Sequence, residues 1–280
     1  MRRFRYVLAD VFTDVPLAGN QLAVFTDARE LDEQTMQALA LEIGFSETMF
    51  VLPAEQGGTA RMRIFNPRHE MPFAGHPVLG TAFVLGAPLQ RDVIALETGS
   101  GLVPVELERD ESGSIVFGRM TQPVPRVEPY PRSDELLAAL GISASELSIE
   151  RYDNGAQPVH VILGSEQEVA GLRPDLATLE KLEVMASCSA GSGGRWKTRM
   201  FAPYGGVPED PATGSAAGPL ACHLCRHGLV DWGEWIEIVQ GVEIDRPSTL
   251  FARASGSDGT IERVDVGGRA VVVARGEFRF

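Results

Sequence analysis

RIFNPRHEMPFAGHPVLGTAFVL, residues Arg63–Leu85, reads as a short strand, a loop rich in Pro and Gly, and then a run that is small or apolar on every face. The second half of the chain repeats that order: RMFAP (Arg199–Pro203), a similar loop, then TGSAAGPLACHL (Thr213–Leu224). A surface helix carries a polar stripe, whereas a helix that is apolar all round belongs inside. His76–Leu85 and Gly214–Leu224 are therefore read as two buried helices. Arg63 and Arg199 stand 136 residues apart, about half of the 280-residue chain. That period is too long for a solenoid and suits a duplicated domain. Each helix begins in a Gly- and Pro-rich loop, where the first amides lack intrahelical acceptors. Those amides and the positive end of the helix dipole favour an anion such as a carboxylate. Two such starts facing each other would grip a small anionic molecule between two domains. Taken singly, either loop reads as an ordinary strand-to-helix turn, and it is the repetition that favours a site. Glycine at 75 and 214 is expected either to let a ligand approach the amides or to adopt a backbone angle that other residues avoid.

Between the repeats, TQPVPRVEPYPRS (Thr121–Ser133) holds four prolines. Proline fixes φ and removes a donor, so this stretch reads as a linker that could let the halves move. On each side short β-like runs outnumber helices: Arg61–Phe65, Val103–Leu107, Val159–Leu163, Arg199–Phe201 and Ala270–Ala274. With 44% hydrophobic and 22% charged residues, the chain can bury a core without disulfides or structural metals. Lys and Arg number 25 against 38 Asp and Glu, a formal charge of −13. That balance repels nucleic acid and anionic membranes, so neither is an expected partner. In the opening MRRFRYVLADVF, Asp10 interrupts the apolar run before a signal-peptide core could form, and the segment reads as a first strand. No stretch approaches the length of a transmembrane helix. Three sparse cysteines, Cys188, Cys222 and Cys225, read as reduced thiols of a cytoplasmic protein.

GNQLAVF from Gly19, FSETMFVLP around Glu47, RIFNPRHEMPFAGHPVLG and GVPEDPATGSAAGPLA together resemble the phenazine-biosynthesis isomerase (PhzF-like) family of the diaminopimelate epimerase superfamily. The resemblance runs from the first strand to about Leu224. It implies an α/β fold of two similar domains, each a curved mixed β-sheet wrapped around a central helix. The units would be residues 1–122 and 132–267, with a last strand at about 268–280 returning to the first. It further implies a cofactor-independent isomerase, without a metal, that moves a proton on a small carboxylate-bearing metabolite, and it admits a homodimer. By the same resemblance Glu47 is the catalytic acid–base, and His76 and Asp210 polarise the substrate or handle protons. Gly75, Thr213, Gly214 and Ser215 would form the anion-binding helix starts.

The chemistry is coherent with those residues. Taking a proton from carbon and returning it elsewhere on the same face needs one carboxylate that is both base and acid, and burial raises a Glu pKa toward that range. Helix-start amides and His76 could stabilise the enolate or dienolate that develops. Without this context, Glu47 reads as a glutamate opening a strand after a helix stop at Gly44. His76 reads as a polar helix cap with Pro77 in the first helical position, and Asp210, before Pro211, as a turn residue. Two departures from the family pattern stand out. Gln21 replaces a usual proline and is expected to alter a loop. Pro219 lies inside the second helix, which is expected to start later than Gly214 or to bend there.

Three rival readings are weaker. A two-base racemase or epimerase would need a thiol at each helix start, and the AGHP and DPATGS segments hold none. A zinc or redox site on CHLCRH (Cys222, His223, Cys225, His227) would need four convergent ligands, and on one continuous helix these point in different directions. A non-catalytic metabolite-binding protein would have no reason to keep Glu47, His76 and Asp210 together.

Overall fold

The computed structural model describes residues 2–280. It is a mixed α/β fold in which a strongly curled sheet winds around two central helices, Gly75–Leu89 and Gly214–Arg226. In the first half, Arg3–Val11 pairs antiparallel with Asn20–Phe25, which runs parallel to Glu47–Leu52. The sheet continues through Ala60–Phe65, Val93–Thr98, Gly101–Arg109 and Ile115–Gln122. The second half repeats the pattern with Glu150–Asp153, Pro158–Ile162, Met185–Ser192, Arg195–Ala202, Ile236–Gln240, Ser248–Ser257 and Thr260–Gly268. Its parallel pairs fall at the matching places. The halves join where Thr260–Gly268 pairs with Ile115–Gln122.

The proline-rich segment is not the structureless linker its composition suggests. Arg126–Pro129 is a strand paired with Glu150–Asp153, and Tyr130 beside it is buried. Prolines are tolerated because this strand lies at the edge of the sheet, where one row of amides needs no partner. It has a counterpart at the other end of the chain, where Ala270–Arg279 pairs with Arg3–Val11. Each half thus ends in a strand that crosses to the other. We propose two units on this pattern: 1–122 closed by about 268–280, and 132–267 extended by Arg126–Pro129.

The central helices fill the space inside the curl because they have no polar face to expose. Val78, Leu79, Ala82 and Phe83 are buried with Val11, Leu22, Leu107 and Met120 in the same core, and Leu220, Ala221 and Leu224 with Ile238, Ala252 and Val264. Each large apolar side chain buried in this way contributes about 1.5–3 kcal/mol. Three local expectations need correction. The first helix begins at Gly75 after the N-cap Ala74, so Pro77 is its third residue and His76 is not the cap. Gln21 lies in a strand opposite Asp10, not in a loop. The second helix does start at Gly214 despite Pro219. Proline at 219 deprives the Ser215 carbonyl of its helical donor, and the Asn154 side chain supplies one at 3.0 Å. No helix among the described residues is long and apolar enough to cross a membrane.

Candidate active site

Both central helices begin at the same place. A Cβ added to Gly75 would stand 2.4 Å from the Gly214 carbonyl carbon and 2.5 Å from the Ser215 nitrogen. Neither glycine has a positive φ, so close approach of two backbones is what requires glycine here, and not a special backbone angle. Neither N-cap residue, Ala74 or Thr213, caps its helix with a side chain. The amides of Gly75, His76, Gly214 and Ser215 consequently have no acceptor among the described residues. Two positive helix ends with free N–H groups converge on one small volume, which is the arrangement that binds an anion. Thr213 differs from these four, because its amide donates to Gln240 Oε1 at 3.2 Å and its hydroxyl to Asp210 Oδ2.

That volume is a cavity of about 30 Å³, lined by Glu47, Gly75, His76, Asp210, Thr213, Gly214 and Ser215. Every residue anticipated for the site is therefore brought together. Met71, Met185, Met200 and Tyr204 form a less polar wall. Glu47 reaches the cavity through local structure alone. Asp32 caps the helix Glu33–Ile43 by accepting from the Thr35 amide at 2.8 Å, and Gly44, at φ 69°, ends it. The chain then turns into the strand that Glu47 opens, beside Leu22.

The two carboxylates sit in different surroundings. Asp210 accepts from Asn20 Nδ2 at 2.8 Å, from Ser46 Oγ at 2.7 Å and from Thr213 Oγ1. Burial pushes its carboxyl up, and these three donors pull it back. No donor completes a hydrogen bond to Glu47 Oε2, although His76 Nδ1 lies 3.3 Å away. Burial, and then the charge of Asp210, push Glu47 well above the ordinary glutamate value. One proton shared by this pair belongs on Glu47, with the negative charge on Asp210, where the donors are. Burial pulls His76 down to about 3, opposed by the backbone at Gln21, so its imidazole is neutral. Asn20 Nδ2 stands 3.2 Å from His76 Nδ1 and also donates to the Ala212 carbonyl at 2.9 Å. Asn20 is thus the hub joining His76 to Asp210.

Asn20, Ser46, Tyr204 and Gln240 were not anticipated. The available signal was a polar residue at the start of an otherwise apolar strand, as in GNQLAVF and FSETMFVLP. The cysteines lie elsewhere. None lines the cavity, and burial pushes Cys188 up to about 12 and Cys225 up to about 11, so a thiol-pair racemase has no support.

Comparison with known proteins identifies the family. The family model described as phenazine biosynthesis-like protein matches residues 9–276. The trans-2,3-dihydro-3-hydroxyanthranilate isomerase of Pseudomonas fluorescens is 50% identical over 272 residues, covering 97% of this chain and 98% of that protein. A PhzF-family phenazine biosynthesis protein of Bacillus anthracis superposes over all of both chains with a TM-score of 0.86 at 24% identity. A hydroxyproline epimerase of Agrobacterium vitis shares the fold over 99% of this chain and 92% of its own, with a TM-score of 0.70 at 12% identity. With a family match over nearly its whole length and half its residues shared with a named isomerase, the chain belongs to the phenazine biosynthesis-like protein family and is an isomerase.

Proposed function

We propose that this isomerase moves a proton between two carbons of a small cyclic diene bearing a carboxylate, and that its substrate is trans-2,3-dihydro-3-hydroxyanthranilate or a close analogue. The substrate class rests on the relatives that share about half of this sequence and are named for that compound. The observation that carries the mechanism is the cluster of Glu47, His76 and Asp210 at two uncapped helix starts. The substrate carboxylate takes the amides of Gly75, Gly214 and Ser215. Glu47 first gives up its resting proton to solvent; once ionised it removes a proton from one carbon, the electron pair moves along the conjugated system, and Glu47 returns the proton to another carbon. One C–H bond breaks and one forms, so nothing is oxidised or reduced. A raised pKa makes Glu47 a stronger base than an ordinary carboxylate. Neutral His76 faces it, with Nδ1 3.3 Å from Oε2, and the negative charge of Asp210 raises its basicity. The cavity of about 30 Å³ is far below the roughly 300 Å³ of ordinary ligand pockets, so the halves separate to admit substrate and close over it.

Glu47→Gln keeps size and hydrogen bonding but removes the base. Its turnover should fall by at least about 10²-fold, the usual scale of general acid–base catalysis, with substrate affinity little changed. In deuterated water the product should retain part of the migrating hydrogen. Near-normal turnover in Glu47→Gln would remove the mechanism and favour a metabolite-binding protein. A homodimer belongs to the same reading, and light scattering that finds a monomer would delete it.

A further inference from the structure

The CHLCRH segment holds a second cluster that the isomerisation does not use. His223 and His227 are separated by one helical turn at the C-terminal end of the second central helix and so share a face. Both approach Glu150, which opens the strand Glu150–Asp153. Glu150 Oε2 lies 3.3 Å from His223 Nδ1 and 3.5 Å from His227 Nε2, and one ligand atom from each of the three residues lies within 4.8 Å of the other two. Around a tetrahedral ion with bonds of about 2.1 Å, ligand atoms stand about 3.4 Å apart. The two edges at Glu150 already have that length. The third, between the histidines, can close by rotation of His227, whose side chain is 26% exposed.

We propose that Glu150, His223 and His227 form a binding site for one divalent transition-metal ion of the zinc class. Two imidazole nitrogens and a carboxylate oxygen suit such an ion, with a fourth position for water. Glu150 is held in place, since Tyr152 Oη donates to its Oε2 at 3.0 Å and Arg226 Nη1 at 2.6 Å, and the ion takes the place of one of these donors on that oxygen. Second-shell donors of this kind fix a ligand carboxylate. The carbonyl end of a helix also favours a cation. Arg226 already supplies one positive charge there, so the protein is satisfied without metal and the ion binds with modest strength. The cysteines take no part: Cys225 Sγ donates to the Asp231 carbonyl, and Cys222 is fully buried. The site lies roughly 18 Å along the helix from Gly214, at 1.5 Å per residue. Its effect is therefore to fasten the helix to Glu150–Asp153 and not to touch the reacting atoms. Asn154, the next residue, holds the Ser215 carbonyl at the other end of the same helix.

The test is titration of chelator-treated protein with Zn²⁺ by calorimetry and with Co²⁺ by visible absorption. One equivalent should bind with a dissociation constant in about the micromolar range, and Zn²⁺ should raise Tm by mass action. His227→Ala and Glu150→Gln should each weaken binding by about tenfold or more, while Cys225→Ser leaves it unchanged. His227 is partly exposed, so its variant should fold, and retained isomerase activity would show that it has. Absence of binding at about 100 µM ion, a concentration that would saturate a micromolar site, overturns the proposal. So does binding that survives both His227→Ala and Glu150→Gln, or that is lost in Cys225→Ser.

Discussion

Two buried carboxylates face one cavity, and their hydrogen bonds decide how they divide a proton. Asp210 has three side-chain donors, whereas Glu47 Oε2 has none. Burial and Asp210 raise the Glu47 pKa, so protonated Glu47 contributes stability that is fully present below the ordinary value of 4.5. That contribution is lost as pH rises through the raised folded value, because the unfolded chain gives up its proton first. Glu47→Gln cannot lose a proton there. Denaturant unfolding should therefore find Glu47→Gln more stable than the parent above this window and level with it below. Equal stability of the two proteins at every pH would place the shared proton elsewhere. Glu47, His76 and Asp210 were legible because each sits in a long ordered motif. Asn20 and Ser46 carried only the weaker signal of a polar residue heading an apolar strand, and their bonds to Asp210 across 190 and 164 residues cannot be read from such a local pattern.

At the scale of elements, the apolar runs announced two buried helices, and their starts are as the repeat implied. What the composition misjudged was proline. In Thr121–Ser133 it was read as a linker, yet the sheet accepts Arg126–Pro129 as an edge strand. At Pro219 it was read as a late start or a bend, yet a side chain from another strand end takes over the missing donor's role. Asn154 Nδ2 donates to the Ser215 carbonyl, and Gln122 Nε2 to the Gly214 carbonyl at 2.8 Å. The repair at Ser215 comes from a residue distant in sequence, so Pro219 alone could not reveal it. Asn154→Leu would leave the buried Ser215 carbonyl unpaired and should destabilise the protein by about 1–3 kcal/mol. In a Pro219→Ala background the helical amide returns, and the same substitution should cost less. A double-mutant cycle by denaturant unfolding checks this, and a strictly additive result would mean that Asn154 does not compensate for Pro219.

Across the whole molecule, the two halves meet face to face at their helix starts, and the crossing strands Arg126–Pro129 and Ala270–Arg279 tie each to the other. The duplication itself was visible in the two quoted stretches. The return of the last strand was expected from the family resemblance alone, and the crossing of Arg126–Pro129 was not visible, since nothing in a strand's own residues states which sheet it joins. One contact between the halves, close to the cavity-lining Tyr204, bears on how they open and close. Arg68, on the loop of the first half, donates from Nη1 to Glu180 Oε1 at 2.6 Å and to the Tyr204 carbonyl at 3.0 Å, both in the second half. The Arg68 and Glu180 side chains are about half exposed, and an exposed pair of this kind is worth about 0–1 kcal/mol. It can bias closure without locking it, and it touches neither Glu47 nor the helix-start amides. Arg68→Ala should therefore raise KM by up to about fivefold, the equivalent of about 1 kcal/mol, with kcat and its pH profile held near the parent values. High salt should bring the parent toward the variant, because exposed pairs are screened. A kcat lowered by about 10² or more, the scale of a lost acid–base group, would show that Arg68 serves the chemistry itself and not the closing of the halves.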